Sequence, residues 1–177
     1  MSLTSNTPGT ACYSRSKPWP IAPRPCDGEA FGGWLGRIAG KYSITVEQLW
    51  SHADIGPMPA LTYWKWLLFP PVPLETLERL SQLTHVSVDR LVAMQTPIGW
   101  VHDRRRLRYC YPCLILNPSD VCSPFWRLEW LDPSFSMCMQ HPGRVETTCH
   151  WCHYKIGNFS QLLRRAHALP HRDIVSH

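Results

Sequence analysis

No stretch of 18 consecutive apolar residues occurs in this chain, so no transmembrane helix is expected. The opening residues, "MSLTSNTPGTACYSRS", have none of the apolar core that a secretory leader carries. The expectation is an intracellular, cytoplasmic protein with reduced thiols and no membrane attachment. Acidic residues are few, 13 among 177, and Asp27, Asp54, Asp103, Asp120 and Asp132 stand singly. A metal-dependent nuclease or transposase needs clustered carboxylates for its ions, and this scatter argues against such chemistry. The P-loop, the G-x-S-x-G elbow and the H-E-x-x-H motif are missing as well. The reading is a non-catalytic protein.

What is plentiful is proline (17), tryptophan (9) and cysteine (8). Many prolines mean many chain breaks, which disfavours long helices and a large sheet. Two units of roughly 80 residues would each be marginal in core and would gain from a staple. Eight cysteines in a reducing compartment point to metal rather than disulfides. The net charge of +5 permits an acidic partner, nucleic acid included.

The chain divides into three parts. Residues 1–26 read as a Ser/Thr/Pro-rich lead followed by an extended arm, "KPWPIAPRP", with Trp19 as its one large aromatic. Such a Trp can dock on a partner or on its own domain. Residues 27–97 read as a compact unit of five short helices. Phe31, Trp34, Leu35 and Ile38 make one helical face, with Asp27 and Glu29 placed for the helix dipole and Gly40 as the stop. Val46, Leu49, Trp50 and Ala53 make a second face, opened by a Thr45–Gln48 capping box. "LTYWKWLLF" (61–69) reads as a short buried helix. Pro73 suits the first turn of a fourth helix with Leu74, Leu77, Leu80 and Leu83 on one side. Ser87 caps a fifth, with Val88, Leu91 and Val92 inward. Helix–short turn–helix spacing occurs twice, which predicts helix-turn-helix character. Residues 98–177 differ in character, with cysteines, short apolar runs and few helix signals until a basic helix candidate, "NFSQLLRRAHALPHR". That predicts a small zinc-finger domain with short hairpins. The fold class is mainly α.

Three cysteine-bearing pairs carry the chemistry: Cys110 with Cys113, Cys138 with His141, and Cys149 with Cys152, separated by 24 and 7 residues. A two-residue gap lets both side chains of a pair turn onto one ion, and thiolate with imidazole suits tetrahedral Zn²⁺. Pro112 inside the first pair and Pro142-Gly143 after the second supply turn chemistry. The preferred first site is Cys110, Cys113, Cys138 and His141; the competing set is Cys110, Cys113, Cys149 and Cys152. A second zinc would take Cys149, Cys152, His167 and His171, whose spacing approximates C-x2-C…H-x3-H, although Pro170 interrupts the last pair. A redox dithiol would need a βαβ context that neither C-x-x-C pair has. Cys12, Cys26 and Cys122 have no partner at ligand spacing.

The run "HDRRRLR" offers Arg104, Arg105, Arg106 and Arg108 to phosphates, with Trp100 and Tyr109 near enough to stack on bases. The alternative is a solvated linker partly neutralised by Asp103. The fifth helix offers Arg90 and Gln95 as its base readers, a thin set for sequence-specific DNA recognition.

The order of these elements resembles a known family. "CDGEAF" followed by "WLGR", then "CYPCL", "WRLEW", "CMQHPG" and "CHWC" is similar to TniQ, the target-selection protein of Tn-seven-like transposons. "KPW…RPCDGEAF…LGR" looks most like the compact TniQ of type V-K CRISPR-associated elements. The resemblance implies a non-catalytic adaptor that links a guide-RNA–CRISPR effector complex to the AAA+ ATPase TnsC, capping its filament and touching the guide-RNA scaffold. It implies that Lys17, Pro18, Trp19, Asp27, Gly28 and Glu29 lie near TnsC, and that Cys110, Cys113, Cys138 and His141 form the first zinc site. It places the protein in the bacterial cytoplasm, at the nucleoid during transposition. Compact relatives carry two further C-x-x-C pairs for a second zinc; this chain has one. Longer relatives select targets by binding DNA directly, which is the competing function.

Overall fold

The computed structural model describes residues 17–60, 69–100, 107–115, 125–143 and 145–147. Five α-helices lie among them: α1 (Phe31–Lys41), α2 (Val46–Ala53), α3 (Leu74–Thr84), α4 (Val88–Ala93) and α5 (Tyr111–Ile115). Short 3-10 turns occupy Ile98–Trp100 and Leu128–Leu131. Isolated antiparallel bridges among these residues join Glu29 with Arg127 and Tyr109 with Glu146. The mainly helical class is as read from the sequence. The described cysteine-bearing segments contain single bridges, turns and α5, and residues 116–124 and 148–177, where hairpins were also expected, lie outside the described residues. Residues 61–68, expected to be helical, lie outside the described residues. None of the described helices is long and apolar enough to cross a membrane.

Two helix pairs build the first half. α1 packs on α2 and α3 packs on α4. In each pair a residue at positive φ makes the turn, Ser43 (57°) in one and His85 (57°) in the other. In each pair a hydroxyl then caps the second helix. Thr45 accepts from the Gln48 N–H while the Gln48 side chain accepts from the Thr45 N–H, a full capping box. Ser87 accepts from the Arg90 N–H at 3.4 Å.

α1 is a poor helix by propensity, since its sequence FGGWLGRIAGK holds four glycines. It forms because Phe31, Trp34, Leu35 and Ile38 are all sealed from solvent, and burial of each contributes about 1.5–3 kcal/mol. It runs through Gly40 and ends at Lys41, with Tyr42 as its C-cap, two residues beyond the expected one. Its first turn carries no acid; Asp27 and Glu29, expected to serve the helix dipole, lie before its N-cap and pair with Arg90 and Arg37. Gly33 has a packing reason: a Cβ there would stand 3.1 Å from the Trp126 Cβ, so only glycine lets α1 lie this close to that residue.

Leu77, Leu80 and Leu83 of α3 and Leu91 of α4 complete the buried face with Trp50 and Phe69. The Phe69 ring meets Phe31 edge-on at 5.5 Å and Trp50 at 5.1 Å. Leu74 and Val92, expected inward, are exposed. Leu74 follows Pro73, which is the N-cap rather than a helical residue. The 3.6-residue period then carries Leu77, Leu80 and Leu83 to the core and leaves Leu74 at the open end.

A second buried cluster gathers Ala30, Leu107, Tyr109, Cys110, Cys113, Trp126, Trp130, Leu131 and Cys138. The Trp126 and Trp130 rings meet at 5.2 Å and 89°, and Tyr109 lies 5.8 and 6.3 Å from them. The two clusters touch along one edge: Ala30 belongs to the second and its neighbour Phe31 to the first.

Candidate metal centre

Cys110 precedes α5 and its carbonyl accepts the first helical hydrogen bond, from Leu114 N–H at 3.0 Å. Cys113 lies one turn further on, so the C-x-x-C pair is a helix N-terminus and not the tight turn expected of it. Pro112 fits this well, because the first turn of a helix needs no proline N–H. The second pair is a loop: Cys138 and His141 flank a bend that closes at Pro142-Gly143.

These two segments converge. The ligand atoms of Cys110, Cys113, Cys138 and His141 all lie within 4.8 Å of one another. Cys113 Sγ is 3.5 Å from Cys138 Sγ. His141 turns Nδ1 to the group, 3.2 Å from Cys113, 3.7 Å from Cys110 and 3.9 Å from Cys138. A tetrahedron with Zn–S of about 2.3 Å and Zn–N of about 2.0 Å has edges of roughly 3.5–3.8 Å, so the four side chains fit a zinc ion. The cysteines are buried and His141 is half-exposed. With four protein ligands such a site is closed, and zinc there would supply folding energy rather than catalysis.

The surroundings match that use. Burial pushes the Cys110 thiol up, and burial with the hydrogen bonds of its thiol neighbours pushes Cys113 up to about 12. Burial also acts against Cys138, but the backbone N–H groups of His141 and Gln140 outweigh it and bring that thiol down to about 7. The Gln140 side-chain oxygen accepts from Arg127 Nη2 at 3.3 Å and lies 3.5 Å from Cys113 Sγ. One zinc with three thiolates and an imidazole carries a formal charge of −1, and Arg127 is the cation placed beside it.

Cys149, Cys152, His167 and His171 of the expected second site lie outside the described residues, as do Arg104, Arg105 and Arg106. The other nucleic-acid candidates are committed elsewhere. Tyr109 is buried between Trp126 and Trp130, so its ring is not available for base stacking. Arg108 Nη1 donates to the carbonyls of Phe135 (2.7 Å) and Pro133 (3.4 Å). Trp100 packs half-buried against the second cluster. Arg90 donates to the Cys26 carbonyl and to Asp27, and the Gln95 side chain accepts from Val72 N–H. Both expected base readers, Arg90 on α4 and Gln95 just after it, are therefore engaged by partners within the chain.

The arm docks on its own helices. Trp19 N–H donates to the Leu83 carbonyl, and its ring packs half-buried on the first cluster. Ile21 N–H donates to Tyr42 Oη, and Trp34 Nε1 donates to the Pro23 carbonyl. Lys17, Pro18 and Asp27 are exposed. Glu29 is buried and cannot meet a partner directly. Its carboxylate accepts from Arg37 Nε and Nη2, each at 2.7 Å, and from Cys26 N–H at 2.9 Å. Burial raises the Glu29 pKa against the opposing pull of Arg37. Sequence reading missed Arg37; its position eight residues past Glu29 on α1 was the available signal.

A comparison with curated proteins finds no match. A model of the TniQ family matches residues 20–144, a span that runs from the arm to just beyond the fourth ligand and covers well over half of the chain. The chain therefore belongs to the TniQ family, which is associated with transposition.

Proposed function

We propose that this protein is a non-catalytic target-selection adaptor that joins a guide-RNA–CRISPR effector complex to the AAA+ regulator TnsC in RNA-guided transposition. The observation that carries this reading is the TniQ match over 20–144, which takes in the arm from Pro20 onward and the Cys3His cluster in one continuous family segment. Lys17, Pro18 and the open edge of Trp19, with Asp27, form the TnsC-facing surface. Glu29 supports that surface from inside, through Arg37, instead of touching the partner. Arg104, Arg105 and Arg106 take the guide-RNA phosphates. The zinc holds the second cluster in shape and performs no chemistry.

The test is a pull-down of the full zinc-loaded chain with its cognate TnsC, ATP and DNA. Association that weakens in Trp19→Ala supports the adaptor; folded, zinc-loaded protein that fails to associate rejects it. Footprinting without RNA covers the competing function. A discrete protected DNA site at moderate salt would replace the adaptor with a direct DNA-binding selector, a reading already weakened by the engagement of Arg90 and Gln95.

A further inference from the structure

Residues 26–31 are gripped from two sides. On one side stands the segment that lines the metal centre. Leu128 N–H donates to the Gly28 carbonyl and Ala30 N–H to the Trp126 carbonyl, both at 2.8 Å, and Glu29 forms the antiparallel bridge with Arg127. Ala30 is fully buried in the same cluster as the three cysteines. Arg127 reaches the cluster itself through Gln140. On the other side stand the helices and the arm. Phe31 N–H donates to the Met94 carbonyl. The Glu29 carboxylate holds Arg37, and Arg37 Nη2 also donates to the Arg24 carbonyl in the arm at 2.9 Å. The Cys26 N–H returns to the same carboxylate.

We infer that the metal centre governs how firmly the N-terminal arm is docked, and that Glu29 is the positioning residue through which it does so. The inference rests on the zinc reading of the Cys3His cluster. Its physical content is a division of labour along the extended chain. The peptides on either side of Glu29 are set by the metal-lined segment, Gly28 by Leu128 and Ala30 by Trp126, with Arg127 opposite Glu29 in the bridge. The Glu29 side chain points the opposite way, into Arg37, which clasps the arm. When the 126–128 segment is held by a loaded centre, the carboxylate sits where it can accept two bonds from Arg37 and one from Cys26. When that segment loosens, the carboxylate loses its fixed place, and Arg37 loses the partner that aims it at the Arg24 carbonyl. The helical cluster needs none of these groups for its own packing, so α3 and α4 stay formed while the arm opens.

The experiment is hydrogen exchange on the full chain, zinc-loaded and chelator-stripped, with zinc per chain measured by mass spectrometry on the same samples. The reporters are the N–H groups of Trp19, Ile21 and Cys26; the internal gauge is Leu77 and Leu91, whose N–H groups bond within the helical unit. The expected result is that stripping speeds exchange of the arm reporters about tenfold or more while the helical gauge holds. The second arm of the experiment is Glu29→Gln, which keeps the side-chain shape. It should bind zinc normally, exchange its arm fast even when loaded, and show little further acceleration on stripping, the signature of a shared path. Arm exchange unchanged by stripping overturns the inference. So does loss of protection in arm and helices together, which would make the effect global unfolding. A Glu29→Gln arm that still responds to zinc as the parent does overturns the role of Glu29. A chain that takes up no zinc overturns the metal reading along with the inference, whereas zinc binding without an arm response leaves the metal reading standing.

Discussion

Among the described residues, the cluster around Phe31, Trp50 and Phe69 gathers eighteen buried ones, nearly all aliphatic or aromatic, from α1 to α4 and the connections between them. The cluster around Trp126 and Trp130 gathers nine of the described residues, and three of those are cysteines. The first can be held by burial alone. The second places three thiols among its described residues, and these contribute little until an ion draws them together. The family span thus joins a part stabilised by removing apolar surface from water to a part stabilised by ligation. Perturbations should separate them.

The largest effect should come from Cys138→Ser. Structural zinc sites supply on the order of 10 kcal/mol of apparent binding free energy, so loss of a ligand should take zinc from one equivalent to near none and abolish the near-ultraviolet signal of the Trp126–Trp130 pair. Far-ultraviolet helicity should fall little. Lowering the pH should act in the same direction. Cys110 and Cys113 hold their protons tightly, the ion must displace them, and zinc affinity should therefore fall as pH falls, measured by competition with a chelator. Normal melting of the Cys138→Ser chain would reject the site.

Phe69→Ala attacks the other side. It removes the ring between Phe31 and Trp50 and should cost about 3–5 kcal/mol in helical unfolding, with zinc content unchanged. Gly33→Leu strikes the contact between the two clusters. Its side chain meets Trp126, and overpacking should cost about 1–3 kcal/mol, seen by both the helical and the tryptophan signals. Ser87→Ala is the mildest. Loss of the α4 cap should cost about 1 kcal/mol, measured by denaturant titration, and should leave the metal centre untouched.

Much of this was legible in the sequence where its cause is local. The Thr45–Gln48 box, the Ser87 cap and the apolar period of α1, α2 and α3 depend on residues within a turn or two of each other. The convergence of Cys110, Cys113, Cys138 and His141 was legible for a different reason: pair spacing is constrained by ligand geometry, which does not depend on the intervening chain. The helix at α5 was not legible, because it is too short to leave a periodic signal. Leu74 failed because a period identifies a face without saying where the face ends. Tyr109 beside a basic run looked like a stacking platform. Only the placement of Trp126 and Trp130 shows that it is core.

By itself, then, the sequence determined α1 to α4, two of their caps, the four preferred ligands and the family. The tertiary structure alone decided what the acids and arginines between them do. Asp27 meets Arg90 and Glu29 bridges Arg127 across separations of 63 and 98 residues. No local pattern encodes such pairings, because they follow from which buried face meets which. Glu29 shows the difference most clearly: near a helix start it reads as a dipole partner, and in the folded chain it is a buried clasp between the metal-lined segment and the arm.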